Sequence, residues 1–258
     1  MNNGATAPAV ASPRLTPAEE GERAAWREEN DYHPDPANNC LDLIANQVFH
    51  GDCLQVLRAL PDACADLVLT DPPYITRYRS RDGRTIANDD NSHWLFPAFA
   101  ELYRVLKPNS YCLSFYGWGK AHRFISAWRE CGFQPVGHFV WVKRYASCVR
   151  HTKMKHEQAY LLAKGNPPQP KSPPDDVLPW RYTGNVLHPT QKSADSLMPI
   201  IQAYSKPGGI VLDPFAGSGS TGVAARRCGR RFILIEKVAA YYRAAHQRLI
   251  SPNTNPIK

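Results

Sequence analysis

The chain has 258 residues, 43% of them hydrophobic, with 31 Lys+Arg against 23 Asp+Glu for a net charge of +8. That is enough for one sizeable core, and the basic balance suits either a polyanionic partner or simple solubility. Seven scattered cysteines form no C-x-x-C pair, and no apolar run approaches the ~18 residues of a membrane span. A disulfide framework, a zinc site and a membrane role are thereby disfavoured, and a cytoplasmic protein is expected.

The first 17 residues are rich in Ala, Pro and Asn and predict disorder. Residues 18–30 are charged and suit a short surface helix, and 31–40 suit a linker, so residues 1–40 form an extended N-terminal segment. A single domain is expected over 41–258. Strands are predicted at 46–50 and 65–70, with a helix at 53–60 between them. A polar loop at 76–91 is too long to be a mere connection. A helix follows at 94–106, a strand at 111–116, a helix at 120–131, and strands at 136–142 and 158–163. Residues 165–187 are Pro-rich and irregular. Helices at 194–205, 221–228 and 239–249 then alternate with strands at 210–212 and 232–235. Alternating strands and helices predict an α/β fold with a mainly parallel sheet covered on both faces. No helix separates strands 136–142 and 158–163, so one strand there is expected to be antiparallel.

Two constellations carry chemistry. Asp71-Pro72-Pro73-Tyr74 follows the apolar strand Ala65–Thr70, at the strand end where open α/β folds place ligands. Adjacent prolines fix φ and supply no N–H donors, but their carbonyls remain acceptors. The tetrapeptide is a stiff, acceptor-rich hook beside an aromatic surface, suited to a planar group bearing an amine. The alternative, an ordinary turn acid, leaves the prolines and Tyr74 unexplained.

The second is Asp213-Pro214-Phe215-Ala216-Gly217-Ser218-Gly219-Ser220-Thr221-Gly222, running from a strand into a helix. Gly217, Gly219 and Gly222 satisfy G-x-G-x-x-G, and Glu236 closes the next strand, where a carboxylate suits ribose hydroxyls. Asp213 would repel a pyrophosphate but suits an ammonium or sulfonium. The expected cofactor is therefore S-adenosyl-L-methionine rather than a dinucleotide.

These two motifs resemble those of the amino-group DNA methyltransferases, which modify the exocyclic nitrogen of adenine or cytosine. The hook precedes the cofactor loop, an order similar to the permuted β group. His188-Pro189-Thr190-Gln191-Lys192, Gly51-Asp52, and His156-Glu157 with Tyr160-Leu161-Leu162-Ala163-Lys164-Gly165 resemble further family segments. The resemblance implies a Rossmann-like methyltransferase fold with a seven-stranded sheet, one antiparallel strand and circularly permuted order. It implies that Asp71 and the Pro72 carbonyl accept the two N–H bonds of the target amine, with Pro73 stiffening the hook and Tyr74 stacking on the base. Asp213, Phe215, Ala216, Gly217, Gly219 and Thr221 would surround the methionine part of the cofactor, and Glu236 would hold its ribose. Asp52 would hold the adenine amine, or else serve only as a helix N-cap. Thr190 and Lys192 would reach the methionine carboxylate, or Lys192 would be a solvated surface charge.

Two basic clusters follow strands: Arg77, Arg79, Arg81 and Arg84, and Lys143, Arg144, Arg150, Lys153 and Lys155. Around a base pocket they fit phosphate contacts; alone, each is a solvated polar loop. The expected partner is double-stranded DNA with a flipped target base, and family precedent favours a homodimer. Residues 165–187 stand where larger relatives carry a target-recognition region, which predicts a short or degenerate target. Asp at the head of the hook leans towards adenine over cytosine. An N4-cytosine enzyme, an inactive nucleic-acid-binding relative and a nicotinamide oxidoreductase are the alternatives the sequence leaves open.

Overall fold

The computed structural model describes residues 40–79, 83, 85–149, 151–184 and 187–249. Residues 1–39 of the expected N-terminal segment, with its surface helix, lie outside them, as do Arg81, Arg84 and Arg150. In chain order the elements are α1 Cys40–Ile44, β1 Gln47–His50, α2 Cys53–Ala59, β2 Ala65–Thr70, α3 Leu95–Val105, β3 Leu106–Phe115, α4 Ala121–Glu130, β4 Gln134–Val142, β5 Cys148–Val149 and β6 Lys153–Met154. They continue with β7 His156–Lys164, β8 Val177–Pro179, α5 Ala194–Tyr204, β9 Ile210–Asp213, α6 Ser220–Arg227, β10 Arg231–Glu236 and α7 Ala239–Leu249.

Eight strands form the main sheet in the order β1-β10-β9-β2-β3-β7-β4-β8. Strand β7 runs antiparallel to both β3 and β4, and the remaining neighbours are parallel. The antiparallel strand is the one expected from the missing helix. The expected count of seven is corrected to eight by β8, which lies inside the Pro-rich stretch and pairs Val140 with Val177. A three-residue strand has too few positions to show alternation, and Pro179 is tolerated because β8 is at the sheet edge.

Apolar side chains cover both faces. Val56 and Leu57 of α2, Phe99 and Leu102 of α3, and Phe124 and Trp128 of α4 pack in one cluster. Leu197, Ile200 and Ile201 of α5, Ala224 and Ala225 of α6, and Ala245 and Leu249 of α7 pack in the other. The central strands are therefore buried on both sides, which is why β2, β9 and β10 read as continuous apolar runs rather than alternating ones.

Strand β2 lies directly against β9, pairing Leu67 with Val211 and Val68 with Leu212. Segments far apart in sequence thus bring Asp71 and Asp213 out of adjacent strands. The carboxyl ends of β1, β10, β9, β2, β3 and β4 share one edge of the sheet, and β7 starts from it.

Close packing beneath that edge depends on Gly222 in α6. A Cβ there would stand 2.7 Å from Leu234 Cδ1 and 2.8 Å from Leu249 Cδ1. Both leucines are buried, so they yield only by disturbing the helix–sheet contact. Gly222→Ala is expected to cost about 1–3 kcal/mol of stability by overpacking, which urea unfolding would measure.

Candidate active site

The hook begins where β2 ends. Asp71 Oδ2 accepts a hydrogen bond from Lys192 Nζ at 2.5 Å, and Oδ1 accepts one from the Tyr74 hydroxyl at 2.9 Å. The Lys192 side chain is only 8% exposed, which contradicts the solvated-charge reading of this residue. Its ammonium also stands 4.8 Å from the Phe115 ring centroid and 5.8 Å from that of Tyr74. It is engaged by Asp71, which leaves the expected contact with a methionine carboxylate without direct support.

The Tyr74 hydroxyl also lies 3.4 Å from Glu157 Oε2. Glu157 Oε1 is paired with Lys143 Nζ. Lys143 had been expected to contact phosphate from an exposed loop, and this is corrected: it is 4% exposed, with its ammonium 5.3 Å from the Trp180 ring. The physical reason is strand periodicity. Phe139, Trp141 and Lys143 alternate onto one buried face as β4 ends, and Trp141 pairs across to Glu157 on β7.

The result is a chain of charge buried at both ends and part-buried between, Lys143–Glu157–Tyr74–Asp71–Lys192. Burial pushes the Glu157 carboxyl up, but Lys192 and Lys143 together bring it below its ordinary range. Burial also pushes Asp71 up; Lys192 pulls it back only in part, and nearby Glu157 opposes it, so it stays above its ordinary range. Burial alone would lower the Lys192 ammonium, yet Asp71 and Glu157 outweigh that and raise it. Desolvation together with Asp71 and Glu157 raises the Tyr74 phenol, keeping it a donor. One carboxyl is thus lowered and its neighbour raised, a pattern that marks functional sites.

Two supports of the hook were not singled out from sequence. Gly117, just past β3, has no room for a side chain: a Cβ would meet Tyr74 Cβ at 2.9 Å. Asp89 is 2% exposed and accepts from the backbone N–H groups of Thr76, at 3.2 Å, and Tyr78, at 2.5 Å. It fixes a loop in which Ile75 and Arg77 have positive φ, 61° and 52°, a costly backbone for non-glycine residues.

The second constellation adjoins the first. Asp213 is 2% exposed; its carboxylate accepts from Thr221 Oγ1 at 2.6 Å and Phe215 N at 3.1 Å. Burial pushes it up to about 7 despite those bonds. Gly217 and Gly219 take φ of 52° and 80°, which glycine adopts without strain. Glu236 Oε2 accepts from Gly217 N at 2.8 Å and Oε1 from Val238 N at 2.7 Å, and burial raises its carboxyl. Ala216 is buried, with its N–H bonded to the Ile235 carbonyl at 3.0 Å. Phe215 meets Trp94 edge-on, with centroids 5.2 Å apart. The ring of His188 covers Gly217, where a Cβ would approach it at 3.4 Å. The Thr190 hydroxyl is 3.2 Å from His188 Nδ1. Asp52 is an N-cap, accepting from Leu54 N at 3.0 Å, and its other oxygen meets Lys237 at 3.0 Å.

This loop fits a cationic adenosine cofactor. Two buried carboxylates flank it, and no Lys or Arg lies within Gly217–Thr221 to meet a pyrophosphate. Asp213 and Glu236 would hold the cofactor, which supplies an electrophilic methyl group. A cation beside Asp213 favours its carboxylate form, so binding is expected to tighten as pH rises through about 7 and level off above. Calorimetric titration with S-adenosylmethionine over roughly pH 6 to 8 checks this; an affinity flat with pH would remove Asp213 from the cation's surroundings.

Around the rim, Arg77, Arg79, Arg144, Lys153 and Lys155 are exposed. The loop after β2 and the β5–β6 hairpin, which links β4 to β7, leave the same sheet edge as the hook. Among the described residues, no helix is long and apolar enough to cross a membrane, and no group of His, Cys, Asp and Glu is placed to hold a metal.

The sheet order, the carboxylate-flanked glycine loop and the acceptor hook define an S-adenosylmethionine-dependent amino-methyltransferase. Comparison with known proteins agrees: the DNA methylase family of N6 and N4 methyltransferases matches residues 65–247. The chain is 50% identical over 204 residues to YubD of Escherichia coli (strain K12), a methylase by name, covering 79% of this chain and 90% of that one. It is 32% identical over 244 residues to the DNA adenine methyltransferase YhdJ of the same organism, covering 80% and 83%. Among solved structures it resembles M1.HpyAVI in complex with SAM, with TM-score 0.63, 25% identity, and coverage of 79% and 98%. The cytosine-N4-specific PvuII DNA methyltransferase shares the fold at TM-score 0.66 and 21% identity, with coverage of 81% and 88%. The chain belongs to the N6/N4 DNA methylase family, and its cofactor is S-adenosyl-L-methionine.

Proposed function

We infer that this chain transfers a methyl group to N6 of adenine in double-stranded DNA, with the target base turned out of the helix. The observation that carries the reading is Asp71, a part-buried carboxylate oriented by Lys192 and set beside the Asp213 loop. An aromatic amine is a poor nucleophile because its lone pair is delocalised into the ring. Asp71 Oδ1 and the Pro72 carbonyl accept its two N–H bonds, which stabilises the charge developing on nitrogen and points the lone pair at the methyl group. The bound cofactor would supply the methyl group, and the proton that nitrogen then sheds would pass to the Asp71 carboxylate that accepts that N–H. The base is out of reach inside a duplex, so flipping, at a few kcal/mol, precedes transfer.

Adenine is favoured over cytosine by Asp at the head of the hook and by the relative named a DNA adenine methyltransferase. Long-read sequencing of DNA from a methylation-free host expressing the chain tests the assignment. Modified adenines within a short motif are expected. Modified cytosines, or a long strict motif, would overturn the adenine or the short-target reading respectively.

Arg77 and Arg79 are assigned to phosphate contacts. Replacing both with Ala is expected to weaken DNA binding and to lower the slope of log K against log salt by about 0.9 per lost contact. An unchanged slope would end that role.

A further inference from the structure

The mechanism leaves one group unused. Both oxygens of Asp71 are engaged, Oδ2 by Lys192 and Oδ1 by the Tyr74 hydroxyl. Lys192 is a buried ion-pair partner and does not yield. The amine then binds at Oδ1 beside the Tyr74 hydroxyl; a carboxylate oxygen can accept from both, but passing the hydroxyl to a second acceptor leaves Oδ1 wholly to the amine. The acceptor already in place is Glu157 Oε2, 3.4 Å from that hydroxyl, against 2.9 Å for Asp71.

We propose that Glu157 is a positioning residue for transfer, receiving the Tyr74 hydroxyl when the substrate amine replaces it at Asp71 Oδ1. The exchange needs only a small swing of the phenol, because both acceptors already stand near its hydroxyl, at 2.9 and 3.4 Å, while Gly117 packs against the other end of Tyr74. Glu157 is suited to receive it. Lys143 supplies its counter-charge through the opposite oxygen, and a charged acceptor bonds a phenol more strongly than a neutral one. It sits on β7 with Trp141 of β4 as its cross-strand partner, so its position is set by the sheet rather than by a loop. The Tyr74 ring keeps its place against the base throughout, so one residue both stacks on the base and vacates the amine's binding oxygen.

This rests on the transfer reading above, and a mutant cycle separates the two. Lys143→Met with Glu157→Leu removes that ion pair together, leaving no unpaired buried ammonium. Transfer to plasmid DNA is measured for the wild type, this double variant, Tyr74→Phe, and the triple variant. The double variant is expected to lose about tenfold in kcat/KM. In the Tyr74→Phe background the same change is expected to cost little, since no hydroxyl needs an acceptor. Equal losses in both backgrounds would overturn the proposal while leaving the transfer reading intact. An inert wild type would remove that reading, and this proposal with it. If the double variant fails to bind S-adenosylmethionine, Lys143→Leu with Glu157→Met takes its place in the cycle under the same criterion.

Discussion

Asp71→Ala is expected to abolish methyl transfer, by on the order of 10³-fold in kcat, while the variant still binds S-adenosylmethionine. The loss is large because Asp71 acts where charge develops. It accepts an N–H whose acidity rises as nitrogen becomes cationic, in a buried site where such interactions are strong. Binding survives because the cofactor loop is built from other strands: Asp213 belongs to β9 and Glu236 to β10. The variant also leaves Lys192 facing only Glu157 and Asp213, so some loss of stability accompanies it. Asp71→Asn is milder, because its amide carbonyl remains an acceptor. Radiolabelled transfer beside equilibrium cofactor binding reads both effects in the same samples.

Lys192→Met gives the second large effect, and its sign follows from the titration of Asp71. That carboxyl already lies above its ordinary range through burial, with Lys192 holding it back. Without the ammonium it rises further. The active form is the carboxylate, so activity is present above the folded-state value and lost as pH falls through it; the variant loses activity from a higher pH than the wild type does. At neutral pH the expected drop is about 10²-fold, partly recovered in alkali. Breaking one side of a buried pair costs about 3–5 kcal/mol when the other charge stays ionised; protonation of Asp71 limits the cost here. Rate–pH profiles of both proteins decide it. A variant profile superimposable on the wild type's would mean that Lys192 does not govern Asp71.

Much of this architecture is legible in the sequence. Strand β2 falls on Ala65–Thr70, as its apolar run indicates, and the absence of a helix between β4 and β7 marks the reversed strand. The hook and the glycine loop are local motifs, and the parallel sheet brings both to one edge. What is not legible depends on pairing between distant strands. The start of β3 is hidden because Lys107-Pro108-Asn109 reads as a break, yet the strand begins at Leu106 and shifts register against β2. Lys143 and Glu157 look like loop charges singly; only the β4–β7 register makes them partners. The alternation Phe139, Trp141, Lys143 was the available signal. Lys192 faces Asp71 across 121 residues of chain, and no spacing rule in the sequence announces that contact. Asp52 is the opposite case: its simple reading as an N-cap is what the structure displays.

The central claim is that the Asp71 hook holds an exocyclic amine of DNA for methylation. Its most direct test is to incubate the purified protein with unmethylated plasmid and S-adenosylmethionine carrying a deuterated methyl group, digest the DNA to nucleosides, and locate the label by mass spectrometry. The label is expected on N6 of deoxyadenosine. Label on a ring carbon, or none in DNA from a protein that binds the cofactor, would contradict the account.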